Sequence, residues 1–363
     1  MMKSYNFYKA VTLVKNSVNL SKVFYGSFLI ILLTISGCTR SQRYIRIEGY
    51  AQGGTYTIVY DPKSALEEVG SNTHHSDSIT KLISKTLVNI DFSLSGYNKN
   101  SIVSKVNNNE PCTLDKYFIE LFNLSKEISA QTEGYFDISG GPLYDFWGFG
   151  FKDPQAMSKI INDPGTPDII DSLKTIVGMD KIRIENGALI KDDPRITLNF
   201  NAIAQGYTCD VLASLLDSLN IQNYLVEVGM EIVCKGVNAS GTDWRIGIDT
   251  PKDGSMVAGE SIEKIVPIKN GGIVTSGNYR KYHIVNGRKY AHSIDPHTGY
   301  PVQHDLLSAT VISHSDTLPG AYADAYATYC MVVGKEKATE FISKHSNLKG
   351  YLITSSESIN LLE

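Results

Sequence analysis

The sequence has no surplus of positive charge, and this absence argues against nucleic acid as a partner. It contains 34 lysines and arginines against 38 aspartates and glutamates, which gives a formal net charge of −4. Proteins that bind DNA or RNA usually present a basic face to the phosphates. With 42% hydrophobic and 20% charged residues in 363, the composition is that of an ordinary folded protein. We therefore expect no nucleic-acid partner.

Cysteine is sparse, and no C-x-x-C pair occurs, so the usual signature of a dithiol or zinc site is missing. Besides Cys38, the sequence has four widely spaced cysteines in apolar surroundings, at positions 112, 209, 234 and 330. An even number of cysteines permits disulfides in an oxidising compartment but does not require them. We expect these four to act as small buried hydrophobic residues.

Long apolar runs are also lacking, apart from residues 23–35 near the N-terminus. That run is too short for a good transmembrane helix. It follows a lysine-containing stretch and closes on Ser36-Gly37-Cys38, which is similar to a bacterial lipoprotein cleavage site. A plain secretory signal and a buried N-terminal helix are the alternatives. We favour the lipoprotein, because the cysteine directly follows the small pair.

On this interpretation, residues 1–37 are a signal peptide and residues 38–363 are the folded part, in one domain that could have two lobes. Cys38 becomes the acylated first residue and anchors the protein to a membrane of the bacterial cell envelope, facing the periplasm.

Hairpin patterns mixed with a few helices predict an α+β fold with mainly antiparallel sheets and flanking helices. Two Asn-Gly pairs, at 186–187 and 286–287, are typical of two-residue hairpin turns. We predict strands at residues 44–49, 55–60, 181–185, 188–191, 196–200, 224–228, 231–235, 244–249, 262–269, 282–285, 288–291, 307–313 and 350–354. Apolar spacing predicts helices around residues 79–90, 101–106, 118–128, 211–219, 321–333 and 335–345.

Some local predictions concern polar segments. Asp77 is the expected N-cap of the first helix. His74 and His75 are expected in a solvated loop, because no partner ligands lie near them at metal-site spacing. Residues 152–167, which contain three prolines, are expected to form an irregular insertion.

Residues 290–301 read Y-A-H-S-I-D-P-H-T-G-Y-P and concentrate polar groups on a short stretch. Pro296 biases Asp295 toward an extended conformation, and Gly299 permits a tight turn. We therefore predict a stiff strand-to-turn corner that displays His292, Asp295 and neighbouring polar side chains. An ordinary hairpin end is the alternative.

Residues 134–150 are rich in glycine and aromatic side chains. Such a segment can bring backbone close to a flat ligand while rings stack on it. A tightly packed core loop would have the same composition, so the two interpretations stay open.

Asp324 and Thr328 are four residues apart on a predicted helix and share one face. A carboxylate and a hydroxyl are hard oxygen ligands that suit Mg²⁺. The Ala202 carbonyl, in a turn of small residues that precedes a helix, is a further candidate ligand. A helix surface or cap is the ordinary explanation of such a pair.

Five motifs together make the sequence similar to the ApbE-type FAD:protein FMN transferases, over about residues 49–334. They are T-x-G-x-F-D-x-x-x-G-P-L-x-x-x-W-G-F-G at 132–150, N-A-I-A-Q-G-Y at 201–207, T-S-G-x-Y-R at 275–280, H-x-I-D-P-x-T-G-x-P at 292–301 and A-D-A-x-A-T at 323–328.

The resemblance implies an enzyme that binds FAD and Mg²⁺ and moves FMN onto a Thr or Ser hydroxyl of an acceptor protein, with release of AMP. It implies metal binding by Ala202, Asp324 and Thr328, and a general base at His292. It also implies flavin-dinucleotide contacts from Tyr97, Tyr135, Phe136, Asp137, Asn199, Gln205 and Ile294. The acceptor is expected among membrane redox subunits. A structural hydrogen bond within the turn is the alternative role for His292.

Three positions depart from the usual pattern of the family. Asn199 stands where a carboxylate is common, Gln205 where a lysine is common, and Gly53 where a methionine often precedes Gly-Thr. The first two changes keep polar groups, so they bear on how tightly FAD is held rather than on the reaction class.

Two other functions share the predicted site. A metal-dependent FAD pyrophosphatase would use water as the nucleophile and release FMN and AMP. A non-catalytic FAD-binding lipoprotein would store or deliver the flavin, although a carrier needs no base beside a metal.

Overall fold

An eight-stranded antiparallel sheet lies at the centre of the structure, a computed structural model that describes residues 44–65, 72–151, 157–253, 259–279 and 281–362. The predicted signal segment, Cys38 and Arg280 lie outside these ranges. In spatial order the strands are β1 (Ile45–Ala51), β2 (Gly54–Tyr60), β5 (Tyr224–Val228), β6 (Glu231–Lys235), β9 (Gly271–Gly277), β12 (Leu306–Ser313), β13 (Leu348–Thr354) and β14 (Ser358–Leu361).

Three two-stranded hairpins complete the sheets of the described residues. They pair β3 (Ile182–Glu185) with β4 (Ala188–Lys191), β7 (Trp244–Asp249) with β8 (Ile262–Ile268), and β10 (Tyr282–Val285) with β11 (Arg288–Ala291). Both predicted Asn-Gly turns are present, and all four of their residues have positive φ, as a type I′ turn requires.

The helices are α1 (Asn72–Leu94), α2 (Ile102–Asn107), α3 (Lys116–Gln131), α4 (Gly141–Phe146), α5 (Met157–Asn162), α6 (Thr166–Lys174), α7 (Ala204–Ser218), α8 (Pro319–Val333) and α9 (Lys335–Lys344). The predicted α+β class with mainly antiparallel sheet is confirmed. Within the described ranges, no helix combines the length and the apolar character that a membrane crossing needs.

Helix α8 lies in the interior and packs against β9, β12 and α7. Its small buried residues, Ala321, Ala323, Ala325 and Ala327, allow this close packing. Helix α7 in turn packs against β5 and β6. The two helices therefore pack against each other and against neighbouring strands of the large sheet.

At the crossing of α7 and α8, two glycines bring the helix backbones into direct contact. A Cβ added at Gly206 would lie 2.2 Å from the Gly320 carbonyl oxygen, and one added at Gly320 would lie 2.5 Å from the Gly206 carbonyl oxygen. Neither distance is possible for a real side chain. Glycine at both positions is therefore a condition of this approach.

The start of α1 differs from the prediction. The helix begins at Asn72, so Asp77 lies inside it and is not its N-cap, and His74 and His75 belong to the helix and not to a loop. Apolar spacing marks only the buried part of a helix. The polar first turns of α1 have no such spacing, and the pattern therefore missed them.

Two further segments correct the sequence analysis. Residues 157–162 of the expected irregular insertion form helix α5, whose buried Met157 and Ile160 hold it to the core. Residues 196–200 are buried and extended but form no strand, since Thr197 makes only an isolated bridge to Gly140.

The backbone of this extended segment is paired with a side chain in place of a neighbouring strand. The Leu198 N–H donates to Asn107 Oδ1 at 2.7 Å, and Asn107 Nδ2 donates to the Leu198 carbonyl at 2.9 Å. Such pairing satisfies the buried peptide groups without a sheet. The sequence pattern shows burial but cannot show which group pairs with the backbone.

We predict that Gly206→Ala destabilises the fold by about 1–3 kcal/mol, the usual cost of overpacking. The added methyl group would collide with the α8 backbone, which cannot move aside as a flexible side chain could. Urea unfolding measures the change. Gly54→Ala is the control, because its methyl group would meet the Gly229 Cα at an ordinary 3.4 Å. Equal stability of the two variants would contradict the close crossing.

Candidate functional site

Five segments that are far apart along the chain meet beside β9 and the crossing of α7 and α8. They are the segments at 132–150, 199–207, 275–279, 292–301 and 323–328. Four hydrogen bonds join them: Asn199 N to the Ile138 carbonyl (2.8 Å), Gly206 N to Asp324 Oδ2 (3.1 Å), Ser293 Oγ to Asn278 Oδ1 (2.9 Å) and Trp147 Nε1 to the Gly299 carbonyl (2.8 Å).

Asp324 is a buried carboxylate with little compensation for its charge. It is 4% exposed, and its one hydrogen bond from the described residues comes from Gly206 N. Burial raises the pKa of Asp324 above its ordinary value, and the bond from Gly206 opposes that shift. A buried charge is costly unless it is paired or coordinates a metal. The environment of Asp324 therefore favours a cation.

The Ala202 carbonyl is available as a second oxygen ligand. It lies in the turn that precedes α7, four residues before Gly206. A regular helical bond would join the Gly206 N–H to this carbonyl. Because Gly206 donates to Asp324 instead, the Ala202 oxygen accepts no hydrogen bond from the described residues. One backbone amide thus links the carboxylate to the turn and leaves the carbonyl free.

Thr328 lies one turn after Asp324 on α8, and its Oγ1 is 3.4 Å from Ser276 Oγ on β9. A carboxylate, a hydroxyl and a carbonyl are the oxygen ligands that Mg²⁺ accepts, with water and phosphate oxygens completing the octahedron. No cluster of three or more His, Cys, Asp and Glu side chains suited to a metal occurs in the described ranges. The donors present thus fit a hard cation bound together with a phosphate.

His292 directly follows β11 at the corner that the sequence predicted. Its Nδ1 lies 3.1 Å from the Lys281 carbonyl oxygen. Since a carbonyl only accepts hydrogen bonds, Nδ1 carries the proton and Nε2 keeps its lone pair. Burial lowers the pKa of His292 to about 4, and the bond to Lys281 opposes that shift. At neutral pH the ring is uncharged and can accept a proton at Nε2.

The strand β9 connects the cation candidates to the loop of His292. Ser276, near its end, faces Thr328, and Asn278 two residues later accepts the hydrogen bond from Ser293, the neighbour of His292. Through these contacts, β9 links the segment of Thr328 to the segment of His292. The sequence analysis gave no role to Ser276, Asn278 or Ser293, although the first two lie in the T-S-G-x-Y-R motif.

The residues predicted to contact the flavin fall into two kinds. Tyr135, Asp137 and Gln205 are partly exposed, and each can present its side chain to a ligand. Phe136 and Ile294 are fully packed in hydrophobic clusters, so any contact from these two residues uses their main chain.

Tyr135 contacts the imidazole of His297 and the ammonium group of Lys337. Its ring lies against the ring of His297, with centroids 4.4 Å apart, and Lys337 Nζ donates to its hydroxyl at 2.9 Å.

Asp137 accepts a bond from Ser139 N at 2.7 Å, and burial raises the pKa of its carboxyl to about 6. Asn199 is buried, and its Oδ1 accepts from Asn201 N, so it stabilises the turn before α7.

Tyr97 lies at a different place from these groups. Its side chain is 69% exposed, and its ring packs edge-on against Phe151 at 5.0 Å. A cleft of about 430 Å³ lies beside Asp137, and its lining also includes Glu133, Gly134, Pro296 and His297. The structure thus brings the predicted corner at 292–301 onto the glycine-rich segment at 134–150.

The ApbE family model matches residues 53–352 of the chain. The FAD:protein FMN transferase of Haemophilus influenzae is 32% identical over 330 residues, which cover 88% of this chain and 89% of the relative. The FAD:protein FMN transferase of Escherichia coli K12 is 33% identical over 292 residues, 78% of this chain and 79% of the relative.

Two solved structures show the same architecture. The flavin transferase ApbE from Vibrio cholerae superposes with a TM-score of 0.72 at 28% identity and covers 88% of this chain and 97% of its own. The apo flavinyl transferase ApbE from Pseudomonas stutzeri gives a TM-score of 0.72 at 27% identity, with coverage of 88% and 94%.

We predict that His292 stays neutral across the range in which an ordinary histidine titrates. Its pKa in the folded protein, about 4, lies below the ordinary value of 6.5. The unfolded chain therefore takes up this proton first, and His292 lowers stability only as the pH falls from 6.5 towards 4. NMR of ¹³C-labelled histidine, assigned with His292→Gln, follows the ring. A titration midpoint at or above pH 6.5 would contradict the prediction.

Proposed function

The chain belongs to the ApbE family, and on that basis we propose that it is an FAD:protein FMN transferase. As an enzyme of this class, it moves the FMN half of FAD onto a protein. The observation that supports the assignment is the link through β9: Ser276 contacts Thr328, and Asn278, two residues later, binds Ser293, the neighbour of His292. Pyrophosphate cleavage by a hydroxyl needs both a cation and a base.

The cation in this proposal is Mg²⁺, held by the Ala202 carbonyl, the Asp324 carboxylate and the Thr328 hydroxyl. When bound, it supplies charge neutralisation for the pyrophosphate and for the leaving phosphate. The support comes from the buried, weakly compensated Asp324 and from the free carbonyl of Ala202. With a single carboxylate, the site leaves coordination positions open for phosphate oxygens.

His292 acts as the general base. The Ser or Thr hydroxyl oxygen of the acceptor attacks the phosphorus of the FMN half, and the bond from that phosphorus to the bridging oxygen breaks. AMP leaves, and Nε2 of His292 takes the hydroxyl proton. The Lys281 carbonyl holds the other ring nitrogen and so fixes the tautomer that this step requires.

The flavin-dinucleotide contacts are assigned to the seven residues named by the resemblance. Tyr135, Asp137 and Gln205 contribute side chains, Phe136 and Ile294 contribute main chain, and Asn199 holds the turn that carries Ala202. Tyr97 is exposed and packs against Phe151, and its contact is assigned by the resemblance alone.

Two alternative activities differ only in the fate of FMN. A pyrophosphatase would use water in place of the acceptor hydroxyl, and a carrier would leave FAD intact. A histidine that is neutral, and so able to accept a proton, supports catalysis over storage. One incubation with FAD, Mg²⁺ and an acceptor distinguishes the transferase, the pyrophosphatase and the carrier.

We predict that His292→Ala lowers FMN transfer by roughly 10²–10⁴-fold, the usual contribution of a general base, and largely spares FAD binding. Asp324→Ala should abolish the Mg²⁺-dependent turnover. The assay incubates the protein with FAD, Mg²⁺ and a candidate acceptor and reads in-gel flavin fluorescence together with AMP release. Lys281→Ala, which retains the carbonyl that binds His292, is the matched control.

Each outcome of this assay has one meaning. Fluorescent acceptor with AMP supports the transferase, free FMN with an unlabelled acceptor identifies a hydrolase, and unchanged FAD identifies a carrier. Full activity after removal of Mg²⁺ by EDTA would refute the cation site.

We further propose that the protein is a lipoprotein anchored through Cys38 and facing the periplasm, where its acceptor is a Ser- or Thr-bearing membrane redox subunit. The support is the sequence around residues 36–38 and the apolar run before it.

We expect Cys38→Ala to release the protein from the membrane fraction, because the acylated sulfur is the proposed anchor. Metabolic labelling with a radioactive fatty acid, followed by fractionation, measures the effect. The control is Cys112→Ala, a partly exposed cysteine of the folded part. If the label persists in Cys38→Ala, the anchor lies elsewhere.

A further inference from the structure

The N-terminus of α8 is capped from another helix. Its own N-cap residue, Leu318, makes no side-chain cap bond. The Gly320 and Ala321 N–H groups donate instead to Asp210 on α7, to Oδ1 and Oδ2 respectively, each at 2.8 Å. Asp210 is buried, so no solvent could replace these bonds.

The capping is reciprocal. Gly206, in the first turn of α7, donates to Asp324 on α8. In both helices the aspartate lies four residues after the contacting glycine, in G-Y-T-C-D at 206–210 and in G-A-Y-A-D at 320–324. Each Gly-x-x-x-Asp segment thus contributes one glycine to the backbone contact and one carboxylate to the partner helix.

Asp210 and Asp324 differ in how many of their carboxylate oxygens accept backbone hydrogen bonds. Both oxygens of Asp210 accept backbone hydrogen bonds from the first turn of α8. Asp324 uses only Oδ2 in its bond to Gly206, and the free Ala202 carbonyl lies in the adjoining turn. The same local pattern therefore yields one carboxylate with both oxygens hydrogen-bonded to backbone and one with a single oxygen hydrogen-bonded.

We propose that Asp210 is a positioning residue that sets the affinity of the site for its divalent cation. It fixes the first turn of α8 against α7, and Asp324 begins the next turn of the same helix. A shift of that first turn would move the Asp324 carboxylate away from the Ala202 carbonyl. The inference rests on the proposed function, since it takes Asp324 as a cation ligand.

The expected loss of affinity can be taken from other proteins, in which residues that do not touch the metal orient the side chains that do. Loss of such an orienting residue typically weakens metal binding by about 10–100-fold. Asp210→Asn keeps the size of the side chain but replaces one acceptor oxygen with a donor NH₂ group, so one of the two backbone bonds is lost. Asp210→Ala loses both. The dissociation constant for the cation should therefore rise from wild type to Asp210→Asn and further to Asp210→Ala.

The test measures how tightly the purified full-length protein binds Mn²⁺, a probe for Mg²⁺, with and without FAD. The EPR signal of the unbound ion gives the free concentration. Asp210→Asn should weaken Mn²⁺ binding about 10–100-fold with an unchanged number of sites. Asp217→Asn is the control, because Asp217 lies on the same helix but pairs with Lys235 at the surface. It should bind Mn²⁺ as the wild type does.

Asp324→Asn separates failure of this inference from failure of the proposed site. If Asp324→Asn retains Mn²⁺ binding, the cation site itself is wrong. If Asp324→Asn loses Mn²⁺ and Asp210→Asn binds it normally while its melting temperature falls, Asp210 is only structural and the inference is overturned.

If Asp210→Asn does not fold, Asp210→Glu tests the same positioning role. It keeps the charge and both oxygens but is one methylene longer, which displaces the first turn of α8. Weakened Mn²⁺ binding in Asp210→Glu supports the positioning role, and wild-type binding refutes it.

Discussion

The contact between the Gly206 and Gly320 backbones is the constraint on which the candidate site depends. Because neither residue has a Cβ, α7 and α8 approach until the first turn of each reaches a carboxylate of the other. The helix N-termini, which usually attract anions, are here already occupied by protein carboxylates. The cation site proposed at Asp324 would thus depend on the same contact that holds the helices together.

The environment of the site suits proton transfer as well as charge neutralisation. A histidine held by a backbone carbonyl in a buried corner is neutral at physiological pH, because burial disfavours its charged form. Anionic phosphates brought next to the ring would favour the protonated form. In the proposed reaction, the low pKa would keep His292 unprotonated in the free protein, and bound phosphates would raise its basicity.

Much of the architecture follows from local sequence patterns. Asn-Gly turns fixed two hairpins, and alternating apolar residues located most strands. The pattern failed where buried backbone is paired with a side chain, as at Leu198 with Asn107, and where a helix begins with polar residues, as at Asn72. It also passed over β9, whose glycines have low strand propensity. Hydrophobic periodicity reports burial, and these features depend on hydrogen-bond partners.

By itself the sequence determined the α+β class, the motifs and the kinds of atom available to a ligand, because these depend on residue type and short-range spacing. Only the tertiary structure decided which carboxylate keeps a free oxygen. Asp210 and Asp324 occupy equivalent positions after their glycines, and the Gly-x-x-x-Asp spacing alone does not distinguish them. The difference arises from how many backbone amides each meets on the opposite helix, a consequence of long-range packing.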